Sequence, residues 1–276
     1  DDPYIEDWPD CENSHNHKYF EKIIDFNGTD FQNDPLMIKF LITNFNLVFR
    51  IEISSFSERR KGHYRTLAKE GVGSGRFIAC KKLNYHYLMY LATAKHCVYN
   101  SFEANCSRIQ LNYDEVDRES NFSVFNLMNS NVVASSFKED WTIIKVDLPQ
   151  CGLTRSIYNS LKEFKMISRL HKAHKYFDST PNCYLIGHPH GCIKYWSKGK
   201  LEKLPKSKKF KKKDLRSKPH EIYYSLASCP ATSGGTLIVD NSFQSICIHQ
   251  GRNCQYGYGT AIKSHFIPRK MPANVF

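Results

Sequence analysis

The chain has 276 residues, 41% of them hydrophobic and 24% charged, with a mean hydropathy of -0.51. These values suit one large or two small folded domains and exclude a disordered chain, and no run of about 18 apolar residues occurs, which excludes a membrane-spanning helix; Leu36–Phe49 is broken by Lys39, Asn44 and Asn46. The net charge is +12, but ten Lys and Arg216 fall within Lys198–Lys218 against only Glu202 and Asp214, which excludes a uniformly basic nucleic-acid binder.

Residues 1–36 are polar, turn-rich and acidic at their start, and read as an N-terminal extension. The chain begins at Asp1 rather than Met, which leaves room for a signal peptide already removed. From Met37 the pattern becomes strand-like, and 45–53 (FNLVFRIEI) alternates apolar and polar residues as a half-buried strand does. Further strands are predicted at 76–80, 87–93, 107–113, 122–127, 131–135, 141–146, 183–186, 196–201, 221–226, 236–239, 243–249 and 257–262. Only 154–174 has helical spacing, through Ile157, Leu161, Phe164, Ile167 and Leu170. Many short strands with turn signals between them predict an all-β barrel or sandwich.

Ten cysteines without a C-x-x-C pair argue against a zinc ribbon and for disulfides in a secreted protein. Glycosylation sequons at Asn27, Asn105 and Asn121 agree with that compartment. The H-x-H pairs His15/His17 and His188/His190 lack an evident acidic or thiol partner pattern and read as exposed histidines, so no metal and no cofactor is expected.

Three segments carry chemistry: Ala92-Thr93-Ala94-Lys95-His96-Cys97, Glu139-Asp140-Trp141, and Cys229-Pro230-Ala231-Thr232-Ser233-Gly234-Gly235. A serine hydroxyl is a weak nucleophile until a histidine takes its proton, and a carboxylate must fix that histidine's tautomer. His96, Asp140 and Ser233 are the candidates, with 44 residues between the first pair and 93 between the second. Lys95 reads as solvated.

In this order and spacing the residues resemble the chymotrypsin/trypsin-like serine peptidases of the PA clan, over roughly residues 45–270. The resemblance implies two antiparallel six-stranded barrels with the active site in the cleft between them. It divides the chain into an extension (1–36), a barrel carrying His96 and Asp140 (37–150), a partly helical connector (151–178), and a barrel carrying Ser233 (179–276) with a basic insertion (203–218). It implies disulfides Cys80–Cys97 and Cys229–Cys254, and Cys11–Cys151 as a weaker third. The backbone N–H groups of Ala231 and Ser233 would form the oxyanion hole, although the family carries Gly at the first position. Thr232, before the nucleophile, replaces the Asp of zymogen-activated members.

Ala227 at the expected pocket floor disfavours basic P1 residues. Gly251 and Gly259 leave the pocket open, and Ser228 with His249 resembles the pockets of glutamyl endopeptidases and viral 3C-like proteases. Glu or Gln at P1 is expected, with large apolar residues as the alternative. Protein or peptide substrates, a polyanion at Lys198–Lys218 and a monomer are the expected partners and state. The rival reading is a weak or inactive peptidase-fold protein that binds heparan sulfate or nucleic acid through the basic loop.

Overall fold

A computed structural model of the chain describes residues 4–8, 10–60, 71–115, 123–170, 182–203, 221–239, 246–252 and 257–262. Its regular structure is mainly β, in two antiparallel sheets.

The first sheet is built from β2 (Val48–Ile53), β3 (Gly71–Lys82), β4 (His86–Ala94), β5 (Ser107–Leu111), β6 (Ser123–Asn126), β7 (Asn131–Ser136) and β8 (Trp141–Pro149), in the order β6-β5-β2-β3-β4-β8-β7. It therefore has seven strands rather than the expected six, and β6 and β7 do not pair with one another among the described residues. Its inner face buries Phe49, Ile51, Phe77, Met89, Leu91, Ile144 and Val146 in one cluster.

The second sheet contains β9 (Asn182–Gly187), β10 (Tyr195–Lys203), β11 (Glu221–Ser225), β12 (Thr236–Val239), β13 (Ile246–Arg252) and β14 (Gly257–Ile262). They run β10-β11-β14-β13-β12-β9, and β9 also pairs with β10, so six strands close on themselves. A short β1 (Phe20–Lys22) adds to β10 through Phe20↔Ser197.

The N-terminal arm packs on the second sheet. Ile5 is buried with Cys192, Ile193, Tyr195 and Cys229, and its N–H donates to Tyr195 Oη at 3.2 Å. Residues 37–45 are also corrected. They form α1 (Pro35–Phe45), not the start of a strand region. Asp34 caps the helix by accepting from Met37 N at 2.9 Å, and Pro35 supplies a preset first turn. Met37, Phe40, Leu41 and Phe45 make the buried stripe.

The predicted helix in the connector is α3 (Gly152–Leu170). Phe164 on it stacks on Phe40 of α1 with ring centroids 5.4 Å apart. A short α2 (Ser101–Asn105) follows the His96 turn.

The expected disulfides are not formed where both partners are described. Cys97 Sγ packs over Gly73, close enough that a Cβ there would lie 2.8 Å from it. Cys80 is seven residues further along β3, roughly 23 Å at about 3.3 Å per residue, too far to bridge. Cys11 lies beside Cys229, with sulfurs 3.8 Å apart, whereas Cys151 turns to Thr154. Cys254 lies outside the described residues.

Candidate active site

The end of β4 delivers His96, and the turn between β7 and β8 delivers Asp140. Pairing of Ala94 with Trp141 sets the two turns side by side. Asp140 takes a left-handed φ of 46°, a conformation aspartate tolerates better than most residues. Three contacts lock it: Lys95 N donates to its carbonyl at 3.1 Å, His96 N to Oδ1 at 2.9 Å, and His96 Nδ1 meets Oδ2 at 2.6 Å. The last fixes which imidazole nitrogen faces the cleft.

The backbone beneath His96 is braced from behind. Arg60 donates to the carbonyls of His96 at 2.8 Å and Cys97 at 2.7 Å, and its guanidinium pairs with the buried Glu103 at 2.6 Å. Lys95 is not solvated: it is buried, donates to Ser135 Oγ at 3.0 Å and the Tyr99 carbonyl, and lies against the Tyr99 and Phe137 rings. Burial works against charging His96, but the neighbouring Cys97 thiol and the Asp140 carboxylate outweigh it and raise its pKa from 6.5.

Ser233 lies in the loop between β11 and β12, and that loop is bound to β3. Ser74 N donates to Ser233 O at 2.8 Å, and Cys97 Sγ to the same carbonyl at 3.5 Å. Ser74 Oγ donates to Ala231 O at 2.9 Å and accepts from His188 N at 2.9 Å. Gly234 makes the close approach that this requires: at φ 87°, a Cβ there would come within 2.0 Å of Ser74 O. The Ser233 hydroxyl donates to Gln250 O at 3.0 Å, across a bulge in β13.

Ala231 also has a left-handed φ, 63°. Among the described residues neither the Ala231 nor the Ser233 backbone N–H donates a hydrogen bond. The loop closes on itself instead through Thr232 N to Cys229 O at 3.1 Å and Cys229 N to Thr232 Oγ1 at 3.2 Å.

The predicted pocket residues fall on the second sheet. Ala227 is buried, and its carbonyl accepts from Ser197 Oγ at 3.0 Å. Ser228 is 1% exposed, and its Oγ has no hydrogen-bond partner among the described residues. His249 is buried opposite Gly259 on β14, and Gly251 lies at the bulge opposite Tyr258. Tyr224, not singled out in the sequence, hydrogen-bonds His249 Nδ1 through its hydroxyl. Burial, and secondarily His96, drive the His249 pKa down to about 3, so its ring is neutral at physiological pH.

Two further expectations change. His188 is fully buried with Nδ1 against Cys192 O at 3.0 Å, and His190 is half-buried, so neither is an exposed histidine. The basic segment lies outside the described residues from 204 to 220; before it, Lys198 pairs with Asp30 at 2.9 Å and Lys200 donates to Asn182 at 2.7 Å. Ser74, Gln250 and Tyr224 are the site residues that sequence reading passed over, and Cys97 was assigned to a disulfide rather than to the Ser233 carbonyl. Only their places beside the motifs could have flagged them.

No family model matches the chain, and no curated protein matches it. Among solved structures it is similar to an HtrA-type protease with a bound tripeptide, at 16% identity and TM-score 0.44, covering 83% of this chain but only 60% of that one. It is similar to the Rv3671c protease of M. tuberculosis in its active form at 13% identity and TM-score 0.46, covering 87% of this chain and 83% of the other. Deg5 is similar at 14% identity and TM-score 0.45, covering 82% and 89%.

Proposed function

We propose that the protein is a serine endopeptidase acting through His96, Asp140 and Ser233. The observation that carries this reading is the His96–Asp140 couple, closed by contacts of 2.6 and 2.9 Å, with the Ser233 carbonyl tied to Ser74 and to Cys97, the residue after His96. In the reaction the Ser233 hydroxyl turns from Gln250 O to the free nitrogen of His96. His96 takes its proton as the oxygen attacks the peptide carbonyl, and Asp140 steadies the resulting imidazolium. The N–H groups of Ala231 and Ser233 receive the oxyanion, a contribution of about 2.7–4 kcal/mol per donor in enzymes of this kind. His96 then protonates the leaving amine, and water hydrolyses the acyl-enzyme through the same base.

The finer reading is cleavage after glutamine. A neutral His249 whose Nδ1 accepts from Tyr224 presents Nε2–H as a donor, which suits an uncharged amide oxygen better than it suits a cation. Ser228 Oγ supplies a second buried polar atom in need of a partner, and satisfying such an atom is worth about 1–3 kcal/mol. A fluorophosphonate probe tests the reaction class: labelling is expected at Ser233 and lost in Ser233→Ala, and an unlabelled folded protein would sink the reading. A peptide library tests the pocket. Preference for Gln at P1 should collapse in His249→Ala while the probe still labels Ser233, and an unchanged profile would refute the pocket.

A further inference from the structure

On the far side of the nucleophile loop, Cys11 and His17 of the arm meet His190 and Cys229 of the second sheet's loops. One ligand atom from each of the four lies within 4.8 Å of the others. We propose that these residues hold a zinc ion which staples the N-terminal arm to the loop that carries Ser233.

The donor set is two thiols and two imidazoles, a combination that tetrahedral zinc accepts. The sulfurs of Cys11 and Cys229 are 3.8 Å apart. That is about the edge of a tetrahedron with metal–sulfur bonds near 2.3 Å, and nearly twice the roughly 2.05 Å of a disulfide. The imidazoles have a matching need. His17 Nε2 and His190 Nε2 are both buried and make no hydrogen bond among the described residues, an arrangement that costs about 1–3 kcal/mol for each buried polar atom left so. Their rings meet edge to face with centroids 5.5 Å apart.

The surroundings resemble a metal's outer shell. Asn13 N donates to Cys11 Sγ at 3.3 Å, a contact that stabilises a thiolate. Trp8 stacks on His190 at 4.8 Å and 11° and holds its plane. His190 itself has a left-handed φ of 53°, a strain the loop retains where it aims this ring at the cluster. Zinc would displace two thiol protons, and two thiolates, two neutral imidazoles and the dication sum to zero charge. All four positions are filled by protein, so the site is structural rather than catalytic. Its effect reaches Ser233 through Cys229, whose carbonyl and N–H hold Thr232.

The experiment is elemental analysis of the full chain after gel filtration, together with absorption of the cobalt-loaded protein. About one zinc per chain is expected, and a cobalt spectrum with thiolate charge-transfer bands and tetrahedral ligand-field intensity. Cys11→Ser and His17→Asn, both on the arm, should each lower zinc affinity by more than about 100-fold, whereas His15→Ala and Cys254→Ser should keep the metal. Circular dichroism of the arm variants separates metal loss from unfolding. A chain that binds no zinc, folded arm variants that keep it, or a Cys11–Cys229 disulfide recovered from a non-reduced digest would each overturn the proposal. The readout is metal rather than turnover, so it stands or falls apart from the peptidase reading.

Discussion

Ala231→Gly is the most direct test of the nucleophile loop. Ala231 has φ 63°, where its Cβ crowds the following carbonyl, at a cost of about 1–2 kcal/mol. The loop imposes this: Ser74 Oγ holds Ala231 O at 2.9 Å, His190 N holds Pro230 O at 2.7 Å, and Thr232 N holds Cys229 O at 3.1 Å. Glycine removes the crowding but adds about 0.5–1 kcal/mol of unfolded-chain entropy. The net expectation is a gain of about 0.5–1 kcal/mol. For a chain of this size that is a rise in Tm of about 1–3 °C. Melting should be followed by calorimetry in a Ser233→Ala background, to suppress self-cleavage, with Ala231→Val as the opposite control because a β-branched residue tolerates a positive φ worse still. Since the backbone N–H is preserved, kcat/KM in the Ser233 background should stay within about fivefold of the parent. A lowered or unchanged Tm for Ala231→Gly would refute the strained-loop argument.

Asp140→Asn should lower kcat by about 10^4-fold with little change in KM, because the amide favours the wrong imidazole tautomer; steady-state kinetics on a cleaved peptide decides it. Asp140→Asn should also move the acid limb of kcat/KM to lower pH. The base must be neutral, the raised His96 pKa places the gain of activity above pH 6.5, and the amide removes the carboxylate that helps raise it. The same shift makes the imidazolium a stabilising group below pH 6.5, with that stability lost as pH rises through the folded value. Identical pH profiles for the two proteins would count against the coupling. Ser74→Ala leaves Ala231 O and the buried His188 N–H without their partner, for a loss of about 2–4 kcal/mol in denaturant melts; a loss below about 1 kcal/mol would mean that water replaces the hydroxyl.

Many strand positions were legible because apolar runs lie between turn residues, as in β2 and β4, although both are buried along nearly their whole length rather than half-buried. The contact of His96 with Asp140 was legible because each lies in a short motif at a strand end. α1 was not, although Asp34-Pro35 carried the signal, because the apolar run that follows reads equally as a strand. The Cys80–Cys97 pairing failed at Gly73. A cysteine's partner is set by what faces it in space, and a glycine leaves no mark of the sulfur packed against it. The four-residue thiol–imidazole cluster was invisible for a related reason: its ligands at 11, 17, 190 and 229 share no spacing pattern, and only β1 pairing with β10 brings the arm to the loop. Tyr224 acts through its hydroxyl and Ser74 through both hydroxyl and backbone, contacts that periodicity cannot register.

The two sheets do not merely contribute one catalytic part each. The first sheet supplies His96 and Asp140, and its strand β3 also holds the backbone on which the Ser233 hydroxyl is mounted. Ser74 does this with three groups: its N–H binds Ser233 O, its hydroxyl joins Ala231 O to His188 N, and its carbonyl accepts from Thr93 Oγ1 at 2.7 Å. Thr93, on β4, lies three residues before His96, so His96 and Ser233 are registered against the same short stretch of β3–β4. On its other side the loop is fixed at Cys229, packed against Cys11 of the arm. A segment clamped at both ends can retain one left-handed alanine, because several hydrogen bonds at about 1 kcal/mol each outweigh a strain of about 1–2 kcal/mol. It follows that the geometry of the Ala231 and Ser233 amides is a property of three separate parts of the chain, and that loosening either β3 or the arm should disturb it without touching a residue of the triad.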